Sequence, residues 1–92
     1  MPTKKVLTLP EYETLSMRKA FVMINTNIGT ETVLAKELKK VEGIVGVYQV
    51  YGVYDIVVVV EAESDEQLKD IVFSRIRTLK YLRSTLTLNV VP

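Results

Sequence analysis

The stretch from residue 44 to residue 62, IVGVYQVYGVYDIVVVVEA, constrains this chain more than any other, because it reads as two β-strands joined by a tight turn. Successive side chains of a strand point to opposite faces of the sheet. Ile56, Val58 and Val60 therefore leave one side and Val57 and Val59 the other, so neither side of the second strand is polar and both need cover. A chain of 92 residues with two amphipathic helices can shield one face of a small sheet. The other face is expected to be buried against a second copy of the protein.

The flanking segments supply those helices and two more strands. Ala20 to Asn25, AFVMIN, has the content of a buried strand, and Thr26-Asn27-Ile28-Gly29-Thr30 follows with turn and cap residues. From Glu31 to Val41 the apolar residues Val33, Leu34, Leu38 and Val41 recur at helical spacing, with Lys36, Glu37, Lys39 and Lys40 on the wet side and Gly43 as the stop. After the strand pair, Ser64 with Gln67 three residues on has the spacing of a capping box. Leu68, Ile71, Val72, Ile76 and Leu79 then fall on one helical stripe, and LRSTLTLNVV, residues 82 to 91, forms the last strand. In strict alternation Leu82, Ser84, Leu86, Leu88 and Val90 share one face of that strand, while Thr85, Thr87 and Asn89 share the other.

The order is βαββαβ, a ferredoxin-like α+β pattern of two right-handed split βαβ units, giving a four-stranded antiparallel sheet with two helices on one face. The open face is the expected dimer face, and face-to-face packing of two sheets makes a dimeric α+β barrel. Residues 18–92 form this unit, and residues 1–17 are an appended arm. Val6, Leu7 and Leu9 suggest a short extended segment in the arm, ended by Pro10, that packs along a sheet edge of its own or of a neighbouring subunit.

Composition removes several classes of function. Twelve Lys and Arg against eleven Asp and Glu leave a net charge of +1, so no basic field draws the chain to nucleic acid or an anionic membrane. There is no Cys and no His, which removes Cys-based zinc sites, disulfides, thiol nucleophiles and the one side chain that titrates near neutrality unperturbed. No metal or cofactor site is expected. No apolar run approaches the roughly 18 residues of a membrane span, and the first residues lack the apolar core of a signal peptide, so a cytoplasmic protein is expected.

The turn Tyr51-Gly52-Val53-Tyr54-Asp55 is the segment best suited to chemistry. Gly52 permits a backbone geometry closed to other residues and frees neighbouring N–H groups to face a ligand, while Asp55 supplies a carboxylate at the root of the next strand. In such a site Asp55 meets an ammonium group, and turn N–H groups with Thr hydroxyls meet a carboxylate, the pairing a free amino acid needs. A plainer reading is open beside it and is favoured by these residues alone: Gly52 makes the hairpin turn and Asp55 accepts a local backbone bond.

The run from Lys19 to Val91 resembles the effector-binding and oligomerising module for regulation of amino-acid metabolism (RAM) of the leucine-responsive regulator/asparagine-operon regulator (Lrp/AsnC) family. The resemblance rests on AFVMINTNIG at the first strand, VEGIVGVYQVYGVYDIVVVVEA across the hairpin and YLRSTLTLNVV at the end. Its more specific parts are the Gly-x-x-Asp of Gly52 to Asp55 and the Thr-x-Thr of Thr85 and Thr87, in that order. The resemblance implies a non-enzymatic small-molecule sensor: sheets packed face to face in a homodimer, dimers closed into a ring, and a free amino acid bound between dimers near the hairpin turn and last strand. It nominates Gly52, Val53, Tyr54, Asp55, Thr85 and Thr87 as ligand-binding residues. Full-length members carry a helix-turn-helix DNA reader ahead of this module, which residues 1–17 cannot form. A stand-alone module is expected, either sensing amino acids by itself or assembling with full-length regulators and shifting their DNA occupancy.

Two rival classes share the topology. Cofactor-independent oxygenases and isomerases of the dimeric α+β barrel kind place substrate between sheet and helices. Without His such an enzyme would lean on Asp55, Tyr51 or Tyr54, and no second polar group is placed to help. RNA-binding sheets of this order need exposed aromatics amid basic residues on the central strands, and IVVVV offers none. Tyr48 is expected to pack in an interface.

Overall fold

A computed structural model describes residues 17–91. The expectations for the arm, Met17 apart, lie outside the described residues. The elements in chain order are β1 (Arg18–Thr26), α1 (Glu31–Lys39), β2 (Ile44–Gln49), β3 (Ile56–Ala62), α2 (Asp65–Asp70) running on into a π-helical segment (Ile71–Ile76), and β4 (Leu82–Asn89). All pairings are antiparallel, and the sheet order is β2-β3-β1-β4. This is the ferredoxin-like βαββαβ arrangement that the sequence pattern predicts.

The core lies on one face of the sheet. Ala20, Val22 and Ile24 of β1 and Ile56, Val58, Val60 and Ala62 of β3 are buried there, against Leu34, Ala35 and Leu38 of α1 and Leu68, Ile71, Val72 and Ile76 of the second helix. Fully burying an aliphatic side chain of this size is worth about 1.5–3 kcal/mol, so this stripe-on-sheet contact is the main source of stability. Val57 and Val59 leave the opposite face and are half-buried by their neighbours within the sheet. Across the strands they meet Met23 and Phe21, which in turn oppose Leu86 and Leu88. An apolar band thus crosses the uncovered face, and Phe21, Leu86 and Leu88 are each more than a third exposed on it.

The helices differ from expectation in their detail. The first ends at Lys39, because the N–H groups of Lys40 and Val41 donate to the carbonyls three residues back and tighten the last turn. Val33 stands outside the buried stripe, and Ala35 occupies the core position beside Leu34. Gly43 then has φ +98°, and a Cβ there would run into Cδ1 of buried Ile71. Val41 O accepts from the Ile44 N–H at 3.2 Å, so Gly43 sits in a turn where helix packing and backbone conformation both require glycine. The second helix starts at Ser64, whose Oγ accepts from the Gln67 N–H at 3.1 Å, while Gln67 Oε1 accepts from the Glu63 N–H at 2.8 Å. The expected capping pair forms, with the return bond one residue further out. Halfway along, the helix widens: the Arg77 N–H donates to Val72 O five residues back, at 3.0 Å.

The last strand changes phase at its start. Asn25 pairs with Ser84 but Thr26 with Leu82, so Arg83 is skipped. Leu82 consequently packs against the core, and its expected place on one face with Ser84, Leu86 and Leu88 is corrected by this bulge. The rest of the alternation holds: Leu86 and Leu88 oppose open-face residues, and Thr85, Thr87 and Asn89 oppose Ile24, Val22 and Ala20 on the helix side. Among the described residues no helix is long and apolar enough to cross a membrane.

Candidate functional site

Three connections meet at one end of the sheet: residues 27–30 after β1, residues 50–55 between β2 and β3, and residues 77–81 before β4. Hydrogen bonds lock them together. The Val50 N–H donates to Asp55 O at 2.9 Å and closes the hairpin connection, and the Asp55 N–H donates to Ile24 O at 2.9 Å. The Asn27 N–H donates to Tyr81 O at 2.9 Å. Tyr81 has φ +76°, a conformation unusual for a bulky side chain.

Asp55 is the hub of this end. Its Oδ2 accepts from the Thr26 N–H at 2.9 Å and from the Thr26 hydroxyl at 3.4 Å. Thr26 is buried, so the carboxylate caps the end of β1 on its β3 side, where the strand pairing has stopped at Ile24 and Ile56 and the Thr26 N–H would otherwise lack an acceptor. Sequence reasoning missed Thr26, and its signal was slight: a Thr at the last residue of a strand, with no sequence-local link to residue 55. The bond crosses between strands, so it is not the sequence-local turn contact anticipated for an Asp at this place.

The nominated residues fall into two groups. Gly52, Val53, Tyr54 and Asp55 lie together on the hairpin connection. Gly52 has φ +142° with open space around it, so the backbone demands glycine while packing does not. Val53 is 82% exposed and Tyr51 wholly so, leaving the tip apolar and uncovered, while Tyr54 and Asp55 are partly buried. Thr85 is paired with Ile24, so β1 lies between it and Asp55 at the root of β3. Two strand spacings of roughly 4.8 Å put their backbones about 10 Å apart, close enough to share a ligand. Thr87 lies further down β4, opposite Val22, facing a groove beside the second helix. Within one chain it is not brought together with the hairpin.

A family model described as the Lrp/AsnC ligand binding domain matches residues 19–91. Among solved structures, TTHA0845 from Thermus thermophilus is 29% identical, with TM-score 0.77, covering 82% of this chain and 94% of that one. FFRP-DM1 is 27% identical at TM-score 0.77, covering 80% of this chain and 99% of its own. The transcriptional regulator NMB0573 from Neisseria meningitidis, solved as an L-Met complex, has the same fold at 13% identity and TM-score 0.76, and this chain spans 60% of its length. Comparison with curated protein sequences returned no match.

Proposed function

Because this chain belongs to the Lrp/AsnC ligand-binding domain family across residues 19–91, we propose that it is a non-enzymatic regulatory module that binds a free amino acid and acts through its own assembly. The observation that carries the proposal is the hairpin end. Gly52 opens the backbone, Asp55 holds its carboxylate against the end of β1, and Thr85 stands across β1 on β4. A carboxylate for the ammonium, turn N–H groups and a hydroxyl for the carboxylate make up the donor and acceptor set a zwitterion needs. The exposed tip residues Tyr51 and Val53 suit burial against another copy, and the site is completed between subunits. The apolar open face is the homodimer contact, and dimers then join through the hairpin ends into a ring. Such a module works alone or within assemblies of full-length regulators, and its ligand acts by binding one assembly more tightly than another. An amino-acid effector is also in keeping with the L-Met complex of the Neisseria regulator. The module reads no nucleic acid itself, and a cytoplasmic location fits this role.

The test is thermal unfolding of the full chain against each of the twenty amino acids at millimolar concentration. A ligand at 100-fold its dissociation constant adds about 2.7 kcal/mol, a shift of several degrees for a domain of this size. Stabilisation by one amino acid or a chemically related few is the expected result. No shift with any of them counts against amino-acid sensing.

A further inference from the structure

At the opposite end of the sheet from the hairpin, a groove of about 580 Å³ runs between β4 and the second helix. Its wall is apolar where Val72, Phe73 and Val90 line it, and polar where Thr87 and Asn89 of β4 face inward. The volume lies within the range of small-molecule sites, and mixed walls of this kind are typical of them.

The charges at its mouth are unequal. Arg18 and Asp65 pair through Nε and Oδ1 at 3.2 Å. Lys69, one helical turn beyond Asp65 on the same wall, pairs with no carboxylate among the described residues. The mouth therefore carries a net positive charge. On the Phe73 ring itself stands Arg77, its guanidinium carbon 5.0 Å from the ring centre. The helix lines the groove with Asp65, Leu68 and Lys69 of its α-helical part and with Val72 and Phe73 of its π-helical part, where Val72 O accepts from the Arg77 N–H. Short π segments often mark functional sites, and this one carries Phe73 on the groove wall. Phe73 is 55% exposed there, although its neighbours Ile71, Val72 and Ile76 are buried.

We propose that this groove is a second small-molecule site, separate from the hairpin, which takes a carboxylate with an apolar tail. The tail lies along Val72, Phe73 and Val90. The carboxylate turns to Lys69, the cation of the mouth outside the Arg18–Asp65 pair, and Thr87 and Asn89 offer it hydrogen bonds. An amino acid fits less well, since its ammonium would face Lys69 while the nearby Asp65 is already engaged with Arg18.

Calorimetric titration of the full chain with 4-phenylbutanoate tests this, with 4-phenylbutylamine and acetate as controls. Binding at about 1 mM is expected for the acid, and much weaker binding for the amine and for the tail-less anion. Lys69→Glu reverses the charge at the mouth and Phe73→Ala removes the exposed ring. Each should weaken the acid about tenfold. Both side chains are exposed, so both variants should keep the wild-type circular dichroism. Asp55→Asn, at the hairpin, should leave the affinity for the acid unchanged, which separates this site from amino-acid sensing. No binding up to about 10 mM, equal binding of the amine, or unchanged affinity in Lys69→Glu and Phe73→Ala overturns the proposal.

Discussion

At the residue scale, Asp55 has two separable duties. Its Oδ2 holds the end of β1 through Thr26, and its charge is the group proposed to meet an ammonium. Asp55→Asn keeps an oxygen acceptor for Thr26 and removes the charge, whereas Asp55→Ala removes both. Asn is therefore expected to cost little stability and abolish amino-acid binding, while Ala costs about 1–3 kcal/mol more, from the buried N–H left unpaired. Calorimetry with the amino acid that stabilises the wild type, read beside chemical denaturation, separates the two. If Asp55→Asn binds the amino acid as tightly as wild type, Asp55 is structural only. Gly43 has a different kind of constraint, since its φ and the nearby Ile71 side chain both exclude a Cβ. Gly43→Ala is expected to destabilise by about 1–3 kcal/mol through overpacking and strain, seen as a lower denaturation midpoint without a changed slope. Gly52→Ala meets open space and carries only the conformational penalty.

At the scale of elements, the second helix is held at its start by side chains and relaxed in its middle. Ser64→Ala removes the acceptor for the Gln67 N–H and is expected to cost about 1 kcal/mol, lowering the melting temperature by roughly 4–8 °C. A melting temperature within a degree of wild type would show that solvent replaces the cap. The capping pair was legible in the sequence because it is a bond between residues three apart with a fixed chemistry. The π segment was not: Leu68, Ile71, Val72 and Ile76 suit the core stripe of an ordinary α-helix equally well, and the widening is decided by how that stripe seats on the sheet. The bulge opposite Thr26 was hidden for the same reason. Alternation along β4 reports which residues share a face only while the register is unbroken, and Leu82 leaves that pattern because a cross-strand pairing skips Arg83. At the hairpin end, the Gly52 to Asp55 spacing was visible, but the Thr26 bond and the positive φ of Tyr81 are set by tertiary neighbours.

At the scale of the whole molecule, period-two burial on β3 separates two neighbouring valines. Val58 is fully buried between sheet and helices, whereas Val59 lies in the apolar band of the open face beside Phe21. A charge at Val58 has no partner and no water, so Val58→Asp is expected to unfold the chain; burying an unpaired carboxylate costs several kcal/mol, about as much as a small domain's whole stability. Val59→Asp puts the same charge on a face that the single chain leaves partly wet. In an isolated subunit it would be tolerated, and in a sheet-on-sheet dimer it would meet its own symmetry mate's apolar band. The expected outcome is therefore a folded chain that no longer assembles: far-UV circular dichroism like wild type, with a monomeric mass by sedimentation at concentrations where the wild type is oligomeric. Because the effector is proposed to bind between subunits, the same variant should also lose its response to the amino acid, although every nominated ligand residue is intact. A Val59→Asp protein with the wild-type mass would mean that the open face is not the dimer contact. A monomer that still binds the amino acid would place the site within one chain.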